Sequence, residues 1–136
     1  FSVVSKAIFA SQYLVCSMFQ DQILQDLHTQ LEAARLLLRK AACSGKKGFP
    51  DMLEAAQAKI FASEMAIKVT NDALQIFGSA GYSRNLPLER MARDARMFTI
   101  GGGTAQILRT VVASALLDRK LPQTRDGHCK LAEKGV

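Results

Sequence analysis

From Ile23 to about Ala42 the apolar residues Leu24, Leu27, Leu31, Ala34, Leu38 and Ala41 recur at steps of three and four, the repeat of one helix face. This pattern predicts a strong amphipathic helix. It stops at Ser44-Gly45-Lys46-Lys47-Gly48, where glycine permits a C-terminal turn and lysines suit the negative end of a helix dipole. Pro50 and Asp51 then open a second helix, because a first turn tolerates a missing N–H and favours an acid. That helix is predicted to run to about Phe77 with two apolar faces. One carries Ala56, Ile60, Ser63, Ile67, Thr70, Leu74 and Phe77, and the other Ala62, Ala66, Val69, Ala73 and Ile76. Two such faces require neighbours on both sides, and alanines on the second allow close approach.

Gly78-Ser79-Ala80-Gly81 ends the second helix, and a short helix follows Asn85-Leu86-Pro87, from about Leu88 to Arg96. A last helix begins near Thr104 and turns Leu108, Val111, Ala115 and Leu116 inward. No stretch alternates with the period of two that a strand requires. The expected fold is an all-α, antiparallel helical bundle over residues 23–119, between an uncertain N-terminal helical segment, 1–22, and a polar tail, 120–136.

With 136 residues and 49% hydrophobic positions, the chain supports one domain with its own core. It begins at Phe1 and is small for an enzyme that holds a large cofactor, so it is expected to be a piece of something longer. The net charge of +6 raises nucleic-acid binding, but acids are interspersed among the basic residues, and aromatics do not interleave with them. Anionic small molecules such as phosphates are the better match. Cys16, Cys43 and Cys129 are odd in number and far apart, which fits a reducing compartment, and with His28 and His128 they make no zinc spacing. The apolar stretch from Phe1 to Phe19 is interrupted by Ser2, Ser5, Lys6, Ser11, Gln12 and Ser17. It is too short and broken for a membrane span and lacks a signal-peptide cleavage pattern.

Two loops carry the candidate chemistry. In Gln75-Ile76-Phe77-Gly78-Ser79-Ala80-Gly81-Tyr82, two glycines let backbone N–H groups approach a ligand while Gln75 offers an amide. Gly101-Gly102-Gly103-Thr104 leads straight into the last helix, where first-turn N–H groups and the positive dipole end favour an anion. No Lys follows these glycines, so this is not a Walker loop. Read from spacing alone, both stretches are equally compatible with ordinary capped turns.

The ordered set of motifs narrows the choice. Leu24-Gln25-Asp26-Leu27, Glu32-Ala33-Ala34-Arg35-Leu36, Ala58-Lys59-Ile60-Phe61-Ala62-Ser63-Glu64, the Ala73 to Tyr82 stretch, Pro87-Leu88-Glu89-Arg90, Arg93-Asp94-Ala95-Arg96 and Ile100 through Arg109 closely resemble the C-terminal helical domain of the acyl-CoA dehydrogenases. The resemblance covers about Leu24 to Leu117. It implies a four-helix-type bundle of a flavoprotein, FAD as cofactor, acyl-CoA as substrate, a homodimer or homotetramer, and electron-transfer flavoprotein as a partner. It implies a place in fatty acid or amino acid catabolism, in bacterial cytoplasm or the mitochondrial matrix. By the same resemblance, Gln75, Gly78 and Ser79 match the turn that meets the FAD diphosphate of a neighbouring subunit. Thr104 and Gln106 match the residues that meet FAD at the start of the last helix, and Gly103 matches a glycine beside the thioester.

Two departures qualify it. The family's commonest loop reads Ile-Tyr-Glu-Gly-Thr, with the Glu as base, whereas Gly102 holds that position here and cannot take a proton. Some relatives place the base on an earlier helix, and others without it catalyse different reactions, including desulfination of acyl-CoA sulfinates. The tail from Leu121 to Gly127 resembles that of a bacterial subgroup. Glu64 and Glu89 are the nearest acids in sequence, and both read as ordinary exposed helix charge. Lys6-Ala7-Ile8-Phe9-Ala10 is loosely similar to the family's Arg-x-x-Phe-Gly element, with Lys in place of the bidentate Arg. The expectation is therefore a FAD-contacting, oligomerising domain, inactive as a dehydrogenase by itself. The rival expectation is a helical association module without catalysis, or a family member with altered chemistry.

Overall fold

The computed structural model describes residues 17–45, 48–122 and 129. Among them are four helices and no β-strand: α1 (Ser17–Cys43), α2 (Met52–Tyr82), α3 (Leu88–Met97) and α4 (Ala105–Leu116). The expected all-α fold is the observed one. Residues 1–16, with Lys6 and Cys16, lie outside the described residues, as do Lys46, Lys47, His128 and most of the tail.

In α1 the buried positions Leu27, Ala34 and Ala41 recur every two turns and make a single narrow seam. The helix begins at Ser17, earlier than the onset at Ile23 that the apolar period marks. Neither Gly nor Pro stands between Ser17 and Cys43, so nothing local stops the helix from extending upstream of its apolar stripe. Leu38 departs from its expected place in the core. It is 51% exposed and borders a groove whose opposite wall is made of alanines too short to cover it.

The α1–α2 connection is stitched by Ser44. Its hydroxyl donates to the Ala41 carbonyl at 2.7 Å and accepts from the Asp51 N–H at 3.1 Å. Asp51 does not sit in the first turn of α2 but caps it, accepting from the Leu53 N–H at 2.9 Å and the Glu54 N–H at 3.4 Å. Lys40 of α1 then pairs with Glu54 of α2 at 3.0 Å, which fixes the two helices as antiparallel neighbours.

The central helix is α2, and each of the other three packs against it. Its buried positions are small: Ala56, Ala58, Ser63 and Ala73. The buried Ser63 hydroxyl is satisfied by the Ile60 carbonyl at 3.1 Å. Regular helix ends at Phe77, because Gly78 adopts φ 55° and ψ −135°, and one further turn runs to Tyr82 at a changed angle. The helix α3 returns along α2, so that Phe98 at its end borders Ala55, Ala58 and Ala62. Leu88 at its start is the largest fully buried side chain among the described residues. The direction of α4 is again that of α2, since Lys59 meets Gly103 and Glu64 meets Arg109. Ala115 and Leu116 do not turn inward as their spacing predicts; both are exposed, because among the described residues α4 has α2 as its one substantial neighbour.

Candidate functional site

The loop between α3 and α4 is built from its own backbone before any side chain enters. The Gly101 N–H donates to the Met97 carbonyl at 2.8 Å, and the Ala105 N–H to the Thr99 carbonyl at 3.1 Å. Between these anchors Gly102 and Gly103 take φ 65° and 88°, a region where side chains are strained. Thr104 has extended backbone angles and accepts from the Ile107 N–H at 3.2 Å, making it the N-cap of α4 as its position in the sequence indicates.

Two long-range contacts hold this corner to α2. The Lys59 ammonium donates to the Gly103 carbonyl at 2.6 Å. One and a half turns further along α2, the Glu64 carboxylate accepts from the Arg109 guanidinium at 2.6 Å. Beside Glu64 lies a cleft of about 260 Å³ lined by Glu64, Ile67, Arg96, Thr99, Thr104 and Gln106 among others. A helix N-terminus, a guanidinium, a hydroxyl and an amide face one small space, a donor set suited to an anion, together with the Glu64 carboxylate, whose charge Arg109 offsets.

Of the residues singled out from the sequence, the structure brings Gly102, Gly103, Thr104 and Gln106 together at this corner. Gln75, Gly78 and Ser79 are elsewhere, all exposed near the other end of α2. At about 1.5 Å of rise per residue, Gln75 lies roughly 16 Å along the helix beyond Glu64. Within one chain the two groups cannot grip the same small moiety. Glu89 pairs with Arg93 on α3 at 2.8 Å and is half-buried, not the exposed helix charge its place in the sequence indicates. In the sequence Lys59, Arg96 and Arg109 stand out only as members of longer motifs. Their roles depend on which helices adjoin, and a basic residue on a helix surface carries no signal of that in sequence.

The chain matches the family model described as acyl-CoA dehydrogenase, C-terminal domain, over residues 17–117. It belongs to the acyl-CoA dehydrogenase family. A 3-sulfinopropanoyl-CoA desulfinase of Advenella mimigardefordensis is 70% identical over 108 residues, which are 79% of this chain and 27% of that protein. The enzyme of the same name from Variovorax paradoxus is 69% identical over 109 residues, 80% of this chain and 27% of that protein. Among solved structures, butyryl-CoA dehydrogenase from Megasphaera elsdenii superimposes with a TM-score of 0.77 at 38% identity, covering 85% of this chain and 32% of that one. The chain thus spans about a quarter of the length of the curated relatives it matches.

In this acyl-CoA dehydrogenase domain the surface away from the cleft is strongly apolar in places. Leu36, Leu38, Phe98, Leu116 and Leu117 are all more than half exposed. A groove of about 480 Å³ runs between Leu38, Ala41 and Ala42 of α1, the alanine face of α2 and Phe98. Cys43 and Cys129 are free thiols on the surface. Among the described residues no helix is long and apolar enough to cross a membrane.

Proposed function

We propose that the bundle, read as residues 23–119, is the FAD-contacting and oligomerising domain of a flavoprotein that acts on acyl-CoA, and that the reaction is desulfination of an acyl-CoA sulfinate. The observation that carries the choice of reaction is Gly102. It stands where the family's commonest loop places its catalytic Glu, at φ 65°, in a loop that keeps the family's Ile, Gly and Thr at 100, 103 and 104 and has Gly101 in place of the Tyr. The reading is supported by the two desulfinases near 70% identity, against 38% for butyryl-CoA dehydrogenase.

FAD and CoA are both phosphate anions, and the donors of this chain fit such groups. Thr104 and Gln106 at the start of α4 would hold one part of FAD, with Gly103 beside the thioester. Gln75, Gly78 and Ser79, too distant to join them in one subunit, would serve the FAD diphosphate of a neighbour. A dimer or tetramer is therefore part of the reading, and the exposed leucines of α1 and α4 are apolar surface of the kind that association covers. When bound, the flavin supplies hydride acceptance for relatives that dehydrogenate. Hydrolytic desulfination needs no such acceptor. The carbon–sulfur bond breaks, the carbon takes a proton, and sulfur leaves as hydrogen sulfite with one oxygen from water, with no net change in electron count. A loop without a carboxylate is consistent with that sum. The cytoplasm of a bacterium is the proposed location.

The test is a paired assay on the flavin-loaded enzyme that carries this domain. Sulfite release from 3-sulfinopropanoyl-CoA, without dye reduction by saturated acyl-CoA, is the expected result. Dye reduction without sulfite release would establish the second reading, α,β-dehydrogenation with a base on another helix and electron-transfer flavoprotein as acceptor. A colourless oligomer on size-exclusion chromatography, active in neither assay, would leave a pure association module.

A further inference from the structure

We infer that Lys59 is a positioning residue for the site: its ammonium clamps the glycine loop and fixes the Gly103–Thr104 peptide against the ligand. The inference rests on the acyl-CoA reading of that loop, but its physical basis is independent of the reaction. A loop with Gly102 and Gly103 both at positive φ loses more conformational entropy on ordering than any other sequence would. It must be restrained by contacts. The Gly101 and Ala105 N–H bonds come from the loop's own flanks and leave the three peptides between them without a backbone–backbone hydrogen bond. Contact from Leu108, whose Cδ2 lies 3.4 Å from where a Cβ of Gly103 would stand, again comes from the same segment. Lys59 supplies the restraint from outside, reaching from a helix 44 residues away to the Gly103 carbonyl at 2.6 Å.

The geometry of the side chain suits this work. Half-buried Lys59 lines the apolar groove with Ala55, Ala58, Ala62 and Phe98, and its ammonium reaches the loop. Among the described residues the ammonium has no carboxylate partner, in contrast to Lys40 and Lys68, which pair with Glu54 and Asp72. Its bond to Gly103 is charge-assisted and therefore stronger than one between neutral groups. The carbonyl it holds belongs to the same peptide as the Thr104 N–H. A cation on that oxygen polarises the peptide and makes the N–H a better donor towards an anion or a thioester oxygen. Lys59 thus acts on the ligand through the backbone, without touching it.

Two measurements test this. In the 136-residue chain, Lys59→Met keeps the stem and removes the donor, and amide hydrogen exchange at Ala105, the buried loop amide bonded to the Thr99 carbonyl, is expected to quicken about tenfold while α1 and α2 amides hold their protection. Lys59→Arg, which can still donate to the carbonyl, is expected to restore most of the protection. In the flavin-loaded enzyme, Lys59→Met is expected to raise KM for the acyl-CoA sulfinate about tenfold with a smaller change in kcat, and Lys59→Arg to recover it. Unchanged loop exchange in Lys59→Met overturns the clamp. Faster exchange with an unchanged KM overturns the positioning role. Should the unsubstituted enzyme release no sulfite, the proposed reaction fails, and the exchange data still decide whether Lys59 holds the loop.

Discussion

Glu64 and Arg109 are 45 residues apart in sequence and 2.6 Å apart in space, joining the middle of α2 to the first turns of α4. Both side chains are about half exposed, at 44% and 52%. Solvent screens such a pair, so its coupling energy is expected at about 0–1 kcal/mol. A double-mutant cycle with Glu64→Ala and Arg109→Ala, read by urea unfolding at low and high salt, measures it. A coupling well above that range at high salt would mean the pair is shielded in a way the exposure does not indicate. The pair's importance is directional: with Lys59 it sets which face of α4 adjoins α2.

Gly78 is expected to resist substitution for a reason distinct from that of its neighbour Gly81. A Cβ on Gly78 would meet nothing within 4 Å, so Gly78→Ala is opposed only by the backbone at φ 55°, a penalty of about 1–3 kcal/mol. A Cβ on Gly81 would lie 2.7 Å from Phe77 Cβ, a steric conflict within the last turn. Thermal unfolding of the two variants should show loss in both. Because the nearest clashing atom is the Phe77 Cβ, which alanine keeps, Phe77→Ala is not expected to rescue Gly81→Ala.

Most of the fold was legible because it is written in local chemistry. The Leu27, Ala34, Ala41 seam, the Thr104 cap and the breakers at Gly45 and Gly78 all act within a few residues of themselves. What was not legible depends on helix neighbours. Leu38 and Leu116 satisfy a helical period as well as any core residue, yet they are exposed because nothing long enough opposes them. The same holds for the site. The Gly101 to Thr104 loop stands out in sequence by composition, whereas Lys59 and Arg96 look like any solvated base until α2 and α3 are laid side by side.

Thr104 caps α4 through a single hydroxyl, and Thr104→Ala is expected to lower stability by about 1 kcal/mol, with Thr104→Asn nearly neutral. Denaturant unfolding of both variants checks the cap. The two should part company in ligand binding as well, because Asn keeps a capping acceptor while changing what faces the cleft. An alanine variant as stable as the parent would show that the Ala105 and Leu108 N–H bonds suffice to end the helix.

Gly102→Glu would return a carboxylate to the place the family most often gives it. The space exists, since a Cβ there meets nothing within 4 Å, but φ 65° opposes any side chain by roughly 1–2 kcal/mol. In the flavin-loaded enzyme the expected outcome is lower stability together with new exchange of the acyl-CoA α-hydrogen for deuterium, followed by NMR. No exchange in a folded, flavin-bound variant would mean that the carboxylate does not reach the thioester.

The placement of α2 at the centre also bears on how the chain reaches this structure. Its partners α1 and α3 are its immediate neighbours in sequence, and the ties to α4 close loops of only 44 and 45 residues. Helical chains whose contacts are this local have little loop-closure entropy to overcome and fold quickly for their size. With its middle helix as the template for both flanks, the domain has the topology of a unit that completes its fold early, so that assembly with other chains can begin from ordered partners.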